Sequence, residues 1–251
     1  MLRYRETNWK NKDGFDTESY DLTIKTIDAS KTRIEQQAKI EKISLVSFLN
    51  ERQRRIFVNI CRRLKHNDKS FYQNKNLHVT LFGFGPLEKE IYERISDKIH
   101  QFPEQNQDKK VNISFNCVRP GAMYSWSKTA RPVRNISNGT VIAYGDVANN
   151  TDFCNCSNNL AIFLLRDEKI KSKLGANFRR KFPVIWCTLG YYDKQKRFKL
   201  GNRLEKMFGQ YSNLNSNNFS SNFTFPISEI VLVKSKYKNL RYPKIIGSFP
   251  F

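Results

Sequence analysis

His78 and Thr80 are the residues whose types and spacing are best suited to chemistry. They lie in Leu77-His78-Val79-Thr80-Leu81-Phe82-Gly83-Phe84-Gly85, a run rich in β-formers and stopped by Gly85-Pro86, which predicts a buried strand. Strand side chains alternate between faces, so His78 and Thr80 share one face while Val79 and Leu81 enter a core. An imidazole takes or gives a proton near neutral pH, and a neighbouring hydroxyl can hydrogen-bond an oxyanion. A lone His-x-Thr is more often a histidine held for structure, so the pair needs a second set of groups to make a site.

Few other residues offer chemistry. His66 falls in a polar loop, and His100 falls at a helix end that tolerates a cation. Five cysteines are too few and too scattered for a disulfide framework. The close pair Cys154-Asn155-Cys156 has one residue between ligands where zinc sites use two to four, and reads as free thiols in a loop. No Walker loop occurs, and Gly83-Phe84-Gly85 lacks the third glycine of a dinucleotide fingerprint. The residues thus predict no metal and no cofactor.

Charge narrows the partners. The chain has 251 residues with 44 Lys plus Arg against 23 acids, a net charge of +21. That excess suits phosphate-bearing polymers, which bind with counterion release. A solubilising surface or attraction to an anionic membrane is the plainer alternative. The 11 Tyr, 19 Phe and 3 Trp among the positive charges favour nucleic acid. Loop 119–138 interleaves Arg119, Tyr124, Trp126, Lys128, Arg131 and Arg134, a mixture that stacks on bases and contacts phosphates. No apolar run reaches the roughly 18 residues of a membrane span, and Met1–Glu6 does not open a signal peptide. An intracellular, cytoplasmic protein is expected, on which the sequons at Asn135, Asn138 and Asn149 carry no glycan.

These residues need elements to position them. Residues 1–19 predict a basic arm, Tyr20–Ile27 an edge strand, and Thr32-x-x-Glu35 a cap opening a short helix to about Lys42. Ile43–Leu49 is a strand. Asn50-x-x-Gln53 opens a helix whose stripe is Ile56, Phe57, Ile60 and Leu64, with Arg54, Arg55, Arg62 and Arg63 largely off it. After the His78 strand, Ile91, Ile95 and Ile99 mark another helix. Val111–Val118 is a strand with Ile113, Phe115 and Cys117 on one face, and Thr140–Val147 follows the basic loop. An Asn-rich loop, 149–159, leads to a helix capped by Ser157 and carrying Leu160, Leu164, Ile170 and Leu174. Lys181–Tyr191 is a second buried strand and Phe198–Phe208 a helix. Residues 211–224 form an Asn/Ser-rich loop, Phe225–Lys234 a strand, and Leu240–Phe251 an edge. Alternation alone allows a parallel α/β sheet as well as an antiparallel one.

Two central strands share an exit pattern: His78-Val79-Thr80-Leu81-Phe82-Gly83 and Trp186-Cys187-Thr188-Leu189-Gly190. With the strand–helix opening at 43–64 and Ile227-Ser228-Glu229-Ile230-Val231-Leu232-Val233, the chain from Ile43 onward resembles the 2H phosphoesterase superfamily, which includes RNA 2′,3′-cyclic phosphodiesterases, also called 2′-5′ RNA ligases. That resemblance implies an α+β fold of two pseudo-symmetric lobes, mainly antiparallel sheet with outer helices and a cleft between them. The resemblance begins at about Ile43, so a bilobal domain is expected over 43–251, with 1–42 outside it as a basic N-terminal extension. It also implies a metal-independent site in which two imidazoles supply base and acid while Thr hydroxyls hold phosphoryl oxygens. His78, Thr80 and Thr188 match the motif. Trp186 stands where the second histidine belongs, no histidine follows His100, and Pro183 is displaced from its usual place directly before that position. Tyr191, Tyr192 or Lys181 could relay a proton, but spacing singles out none. Three readings follow: a divergent phosphoesterase acting on RNA or nucleotide 2′,3′-cyclic phosphate ends with reduced or altered activity, a silent RNA or nucleotide binder with Trp186 as a stacking platform, and a basic protein-interaction module.

Overall fold

A computed structural model of the chain describes residues 21–22, 37–67, 71–102, 111–122, 137–146, 148–176, 178, 185–192, 198–199, 214, 223–237, 240 and 242–250. The elements in chain order are β1 (Asp21–Leu22), β2 (Gln37–Phe48), α1 (Glu51–Asn67), β3 (Phe71–Gln73), β4 (His78–Gly85) and α2 (Lys89–Gln101). They continue with β5 (Asn112–Ser114), β6 (Cys117–Ala122), β7 (Ser137–Gly145), α3 (Thr151–Leu164), α4 (Glu168–Leu174), β8 (Ile185–Tyr192), β9 (Phe198–Lys199), β10 (Thr224–Pro226), β11 (Glu229–Tyr237) and β12 (Lys244–Pro250).

The fold is α+β. Its main sheet runs β12-β11-β2-β4-β8-β7-β6, with β3 paired to β8, and every pairing among the described residues is antiparallel. The two halves repeat one plan. β2, helix α1 and β4 come back antiparallel in the first half; β7, helices α3 and α4, and β8 do so in the second. They meet where β4 pairs with β8 at Val79 and Cys187.

Alternation explains which face buries what. Leu45, Val79, Leu81, Ala143, Cys187, Leu189 and Leu232 turn to the larger core with Phe57, Ile60 and Leu64 of α1, Ile91, Ile95 and Ile99 of α2, and Phe153, Leu160 and Leu164 of α3. The i, i+3/i+4 stripes of α1 and α2 are those the sequence predicts. The α1 start is also as expected: the Asn50 N–H donates to Gln53 Oε1 at 2.9 Å while the Gln53 N–H donates to Asn50 Oδ1 at 3.0 Å, a reciprocal cap. Val46, Val231 and Val233, with Leu240 over them, form a smaller cluster on the opposite face of the sheet.

Several boundaries differ from expectation. Residues 37–42 extend β2 rather than ending a helix. The 111–118 strand breaks at Phe115-Asn116 into β5 and β6, because Asn150 captures Ser114 by donating to its carbonyl at 2.9 Å and accepting its N–H at 2.7 Å. The 140–147 strand runs Ser137–Gly145. The Asn-rich stretch is mostly helix α3, which also carries Cys154 and Cys156. There Ser157 is no cap; its buried hydroxyl donates to the Phe153 carbonyl at 2.8 Å, so packing of the Phe153, Leu160 and Leu164 stripe outweighs loop composition. The helix beyond breaks at Asp167, which caps α4. Phe198–Lys199 is strand, paired with Asp21–Leu22, not the start of a helix. The 225–234 strand divides into β10, paired with β5, and β11, paired with β2 and β12. Residues 1–19 and most of 211–224 lie outside the described residues.

Candidate functional site

The β4–β8 pair brings together the four residues singled out in the two strands. Val79 and Cys187 are partners and both are 0% exposed. One step to either side, the antiparallel register sets His78 opposite Thr188 and Thr80 opposite Trp186. All four are half-buried, on the sheet face away from the helices. A local two-fold through Val79 and Cys187 therefore relates His78 to Trp186 and Thr80 to Thr188. Opposite neighbours in such a ladder stand about 5 Å apart and diagonal ones about 7–8 Å, a scale that suits one phosphoryl group.

Neighbouring strands complete two rows on this face. Phe48 of β2 pairs with His78 and Ile142 of β7 with Thr188. Val46 pairs with Thr80, and Tyr144 with Trp186. The rings of Phe48 and His78 meet edge to face with centroids 6.0 Å apart. Among the described residues neither the Thr80 nor the Thr188 hydroxyl has a side-chain hydrogen-bond partner. Arg119 occupies the β6 register position opposite Ile142, at the end of the His78 row. Tyr124, Trp126, Lys128, Arg131 and Arg134 lie outside the described residues, as does Lys181. His66 and His100 are exposed on α1 and α2, away from this face.

His78 has a defined tautomer. Its Nδ1 is 2.7 Å from the Asn76 carbonyl, an atom that can only accept, so Nδ1 carries the hydrogen and Nε2 keeps its lone pair in the neutral ring. Burial lowers the His78 pKa from its usual value, opposed by that bond to Asn76. The ring is thus held neutral near pH 7 with a basic nitrogen. The nearby thiols have the opposite character. Burial pushes Cys187 far up and Cys61 to about 12, which leaves them protonated and poor nucleophiles.

The sequence missed the support for this ring. Asn74-Lys75-Asn76 reads as polar linker, but Asn74 is buried. Its Nδ2 donates to the Thr188 carbonyl at 3.1 Å and to the Asn76 carbonyl at 3.2 Å. Asn76 in turn donates through Nδ2 to the carbonyl of Leu240, which has a φ of 53°. The available signal was two asparagines immediately before a strand, since asparagine side chains favour local backbone hydrogen bonds.

No family model matches the chain, and no curated protein matches it. Solved structures similar to it include TT0787 of Thermus thermophilus, with 12% identity, 83% of this chain and 97% of that chain covered, and a TM-score of 0.46. E. coli LigT complexed with 3′-AMP gives 12% identity over 84% of this chain and 97% of that chain, with a TM-score of 0.45. Kluyveromyces marxianus Usb1 gives 13% identity over 85% and 99%, with a TM-score of 0.44. Among the described residues no three His, Cys, Asp or Glu side chains gather as metal ligands would, and no helix is long and apolar enough to cross a membrane.

Proposed function

We propose that the His78 face is a one-histidine phosphoesterase site of the 2H type, which takes the 2′,3′-cyclic phosphate end of RNA or a nucleotide and turns it over slowly. The observation that carries this is the two-fold register, which gives one phosphoryl-sized patch an imidazole, two threonine hydroxyls and an indole. In the reaction, Thr80 and Thr188 hydrogen-bond the non-bridging phosphoryl oxygens. His78 Nε2 takes a proton from water as the water oxygen bonds phosphorus, and the P–O bond to one ribose oxygen breaks. That leaving oxygen takes its proton from solvent, because the indole of Trp186 donates weakly and relays nothing. The missing acid accounts for a loss of about 10²–10⁴-fold relative to a two-histidine site.

A silent binder is the second reading, and Trp186 itself favours it: beside Tyr144, an indole offers a base a stacking surface. One experiment separates the two. The full chain is mixed with an oligoribonucleotide ending in 2′,3′-cyclic phosphate, and both end-group chemistry and binding are followed. Slow opening of the cyclic phosphate that disappears in His78→Ala supports the esterase. Binding abolished by dephosphorylation, with no opening, supports the silent site. Absence of both at low salt leaves only a basic interaction module.

A further inference from the structure

We propose that Asn74 is the positioning residue that fixes His78 to the opposite half of the sheet. The inference deepens the phosphate-site reading and rests on it for its functional meaning, but its structural content can be measured without any substrate.

The seam between the halves has two pieces. β4 and β8 share one pair, Val79 and Cys187, and β3 adds Phe71–Tyr192, Tyr72–Tyr191 and Gln73–Gly190 along β8. Asn74 lies between the two pieces and links them. Its backbone N–H donates to the Leu189 carbonyl at 2.8 Å, and its Nδ2 donates to the Thr188 carbonyl at 3.1 Å. The same Nδ2 donates to the Asn76 carbonyl at 3.2 Å, while Asn74 Oδ1 accepts the Asn76 N–H at 3.2 Å. The Asn76 carbonyl is also the acceptor for His78 Nδ1 at 2.7 Å.

One buried amide therefore connects the backbone of Thr188 to the acceptor that orients the imidazole facing Thr188. An amide is needed: both Nδ2 hydrogens meet carbonyls and Oδ1 meets an N–H, so a carboxylate in its place would confront two acceptors. The site tolerates little displacement, since misplacing a catalytic group by about 1 Å costs on the order of 10²-fold.

The test is nitrogen-detected NMR of the His78 ring in the full-length chain, with Asn74→Asp, Asn74→Ser and, as a distant core control, Ile99→Val. Wild type shows the Nδ1–H tautomer. In Asn74→Asp the introduced carboxylate raises the His78 titration midpoint, and above that midpoint the neutral ring loses its preference for the Nδ1–H tautomer. In Asn74→Ser, which keeps one donor and is the milder change, the Nδ1–H population falls. Ile99→Val leaves both readouts where they were. Unchanged tautomer and titration in either folded Asn74 variant would overturn the proposal, as would an Nε2–H tautomer in wild type, which needs no variant. A ring that responds to Asn74 in a chain that binds no cyclic phosphate would keep the clamp and remove the esterase.

Discussion

Trp186 lies opposite Thr80 across the β4–β8 pair and shares its face with Thr188, two residues along β8. Its indole stands where the local two-fold would put the mate of His78. Tyr144 flanks it on β7. One end of the patch is thus an acid–base group with a defined tautomer, and the other is an aromatic surface with a single N–H donor.

The His78 ring makes stability depend on pH with a definite sign. Its pKa in the folded chain is lowered by burial, while in the unfolded chain it returns to about 6.5. As pH falls through the unfolded value, the unfolded chain takes up a proton that the folded chain resists, so stability is lost. Urea unfolding at pH 7.5 and 5.5 should show a smaller loss for His78→Gln than for wild type. An equal loss in the two would show that the ring protonates as freely folded as unfolded. Any turnover based on Nε2 should rise with pH through the lowered midpoint.

The sequence displays the strands and stripes that alternate cleanly. The β4 pattern, the α1 cap at Asn50 and Gln53, and the α2 isoleucines are all visible because each is a local rule. That His78 and Thr188 share a face is also implied by their strands once the two exit patterns are aligned. What is hidden depends on distant groups. The break at Phe115-Asn116 follows from Asn150 holding Ser114, and the helix through Asn155 and Ser157 follows from its buried stripe. Asn74 looks like linker because its partners, Thr188 and Leu189, belong to a strand far away in the chain.

Gly190 allows β3 to lie against β8 in the seam. A Cβ there would overlap the Phe71 ring and the Tyr72 carbonyl, and the carbonyl is backbone paired to β8. Gly190→Ala should destabilise the chain by about 1–3 kcal/mol, read as a lower urea midpoint at unchanged m-value. Wild-type stability in the variant would mean that β3 does not pack as described.

Asp167 joins the two halves' helices. Arg94 Nε donates to its Oδ2 at 2.6 Å, and the Lys169 and Ile170 N–H groups donate to Oδ1 at 3.0 and 3.1 Å. Burial raises its pKa, but the Ile170 N–H, Arg94 and Lys169 outweigh that and hold it below the usual carboxylate range. Asp167→Ala should cost about 2 kcal/mol at pH 7. Because the folded pKa is depressed, the difference from wild type should shrink only as pH falls through that low value. A difference under about half of this at pH 7 would argue against the cap and ion pair.

The charge of +21 predicts salt-sensitive binding of single-stranded RNA. Arg119→Glu, Arg131→Glu and Arg134→Glu together should weaken binding of unrelated sequences alike. Each phosphate left without its cation should reduce the slope of log affinity against log salt by about 0.7. Titration at several salt concentrations decides this, and binding that ignores salt would remove the nucleic-acid assignment.

The central claim, that this patch is a 2H-type site lacking one histidine, is tested most directly by Trp186→His. Turnover of a 2′,3′-cyclic nucleotide is measured for wild type, Trp186→His, and Trp186→His with His78→Ala. Wild type should be slow or inactive. Trp186→His should gain activity, less than the full 10²–10⁴-fold attributed to one acid–base group because the pocket has been shaped around an indole. The gain should vanish in the double variant. Fast turnover by wild type that survives His78→Ala, or a gain from Trp186→His that persists without His78, would contradict the account.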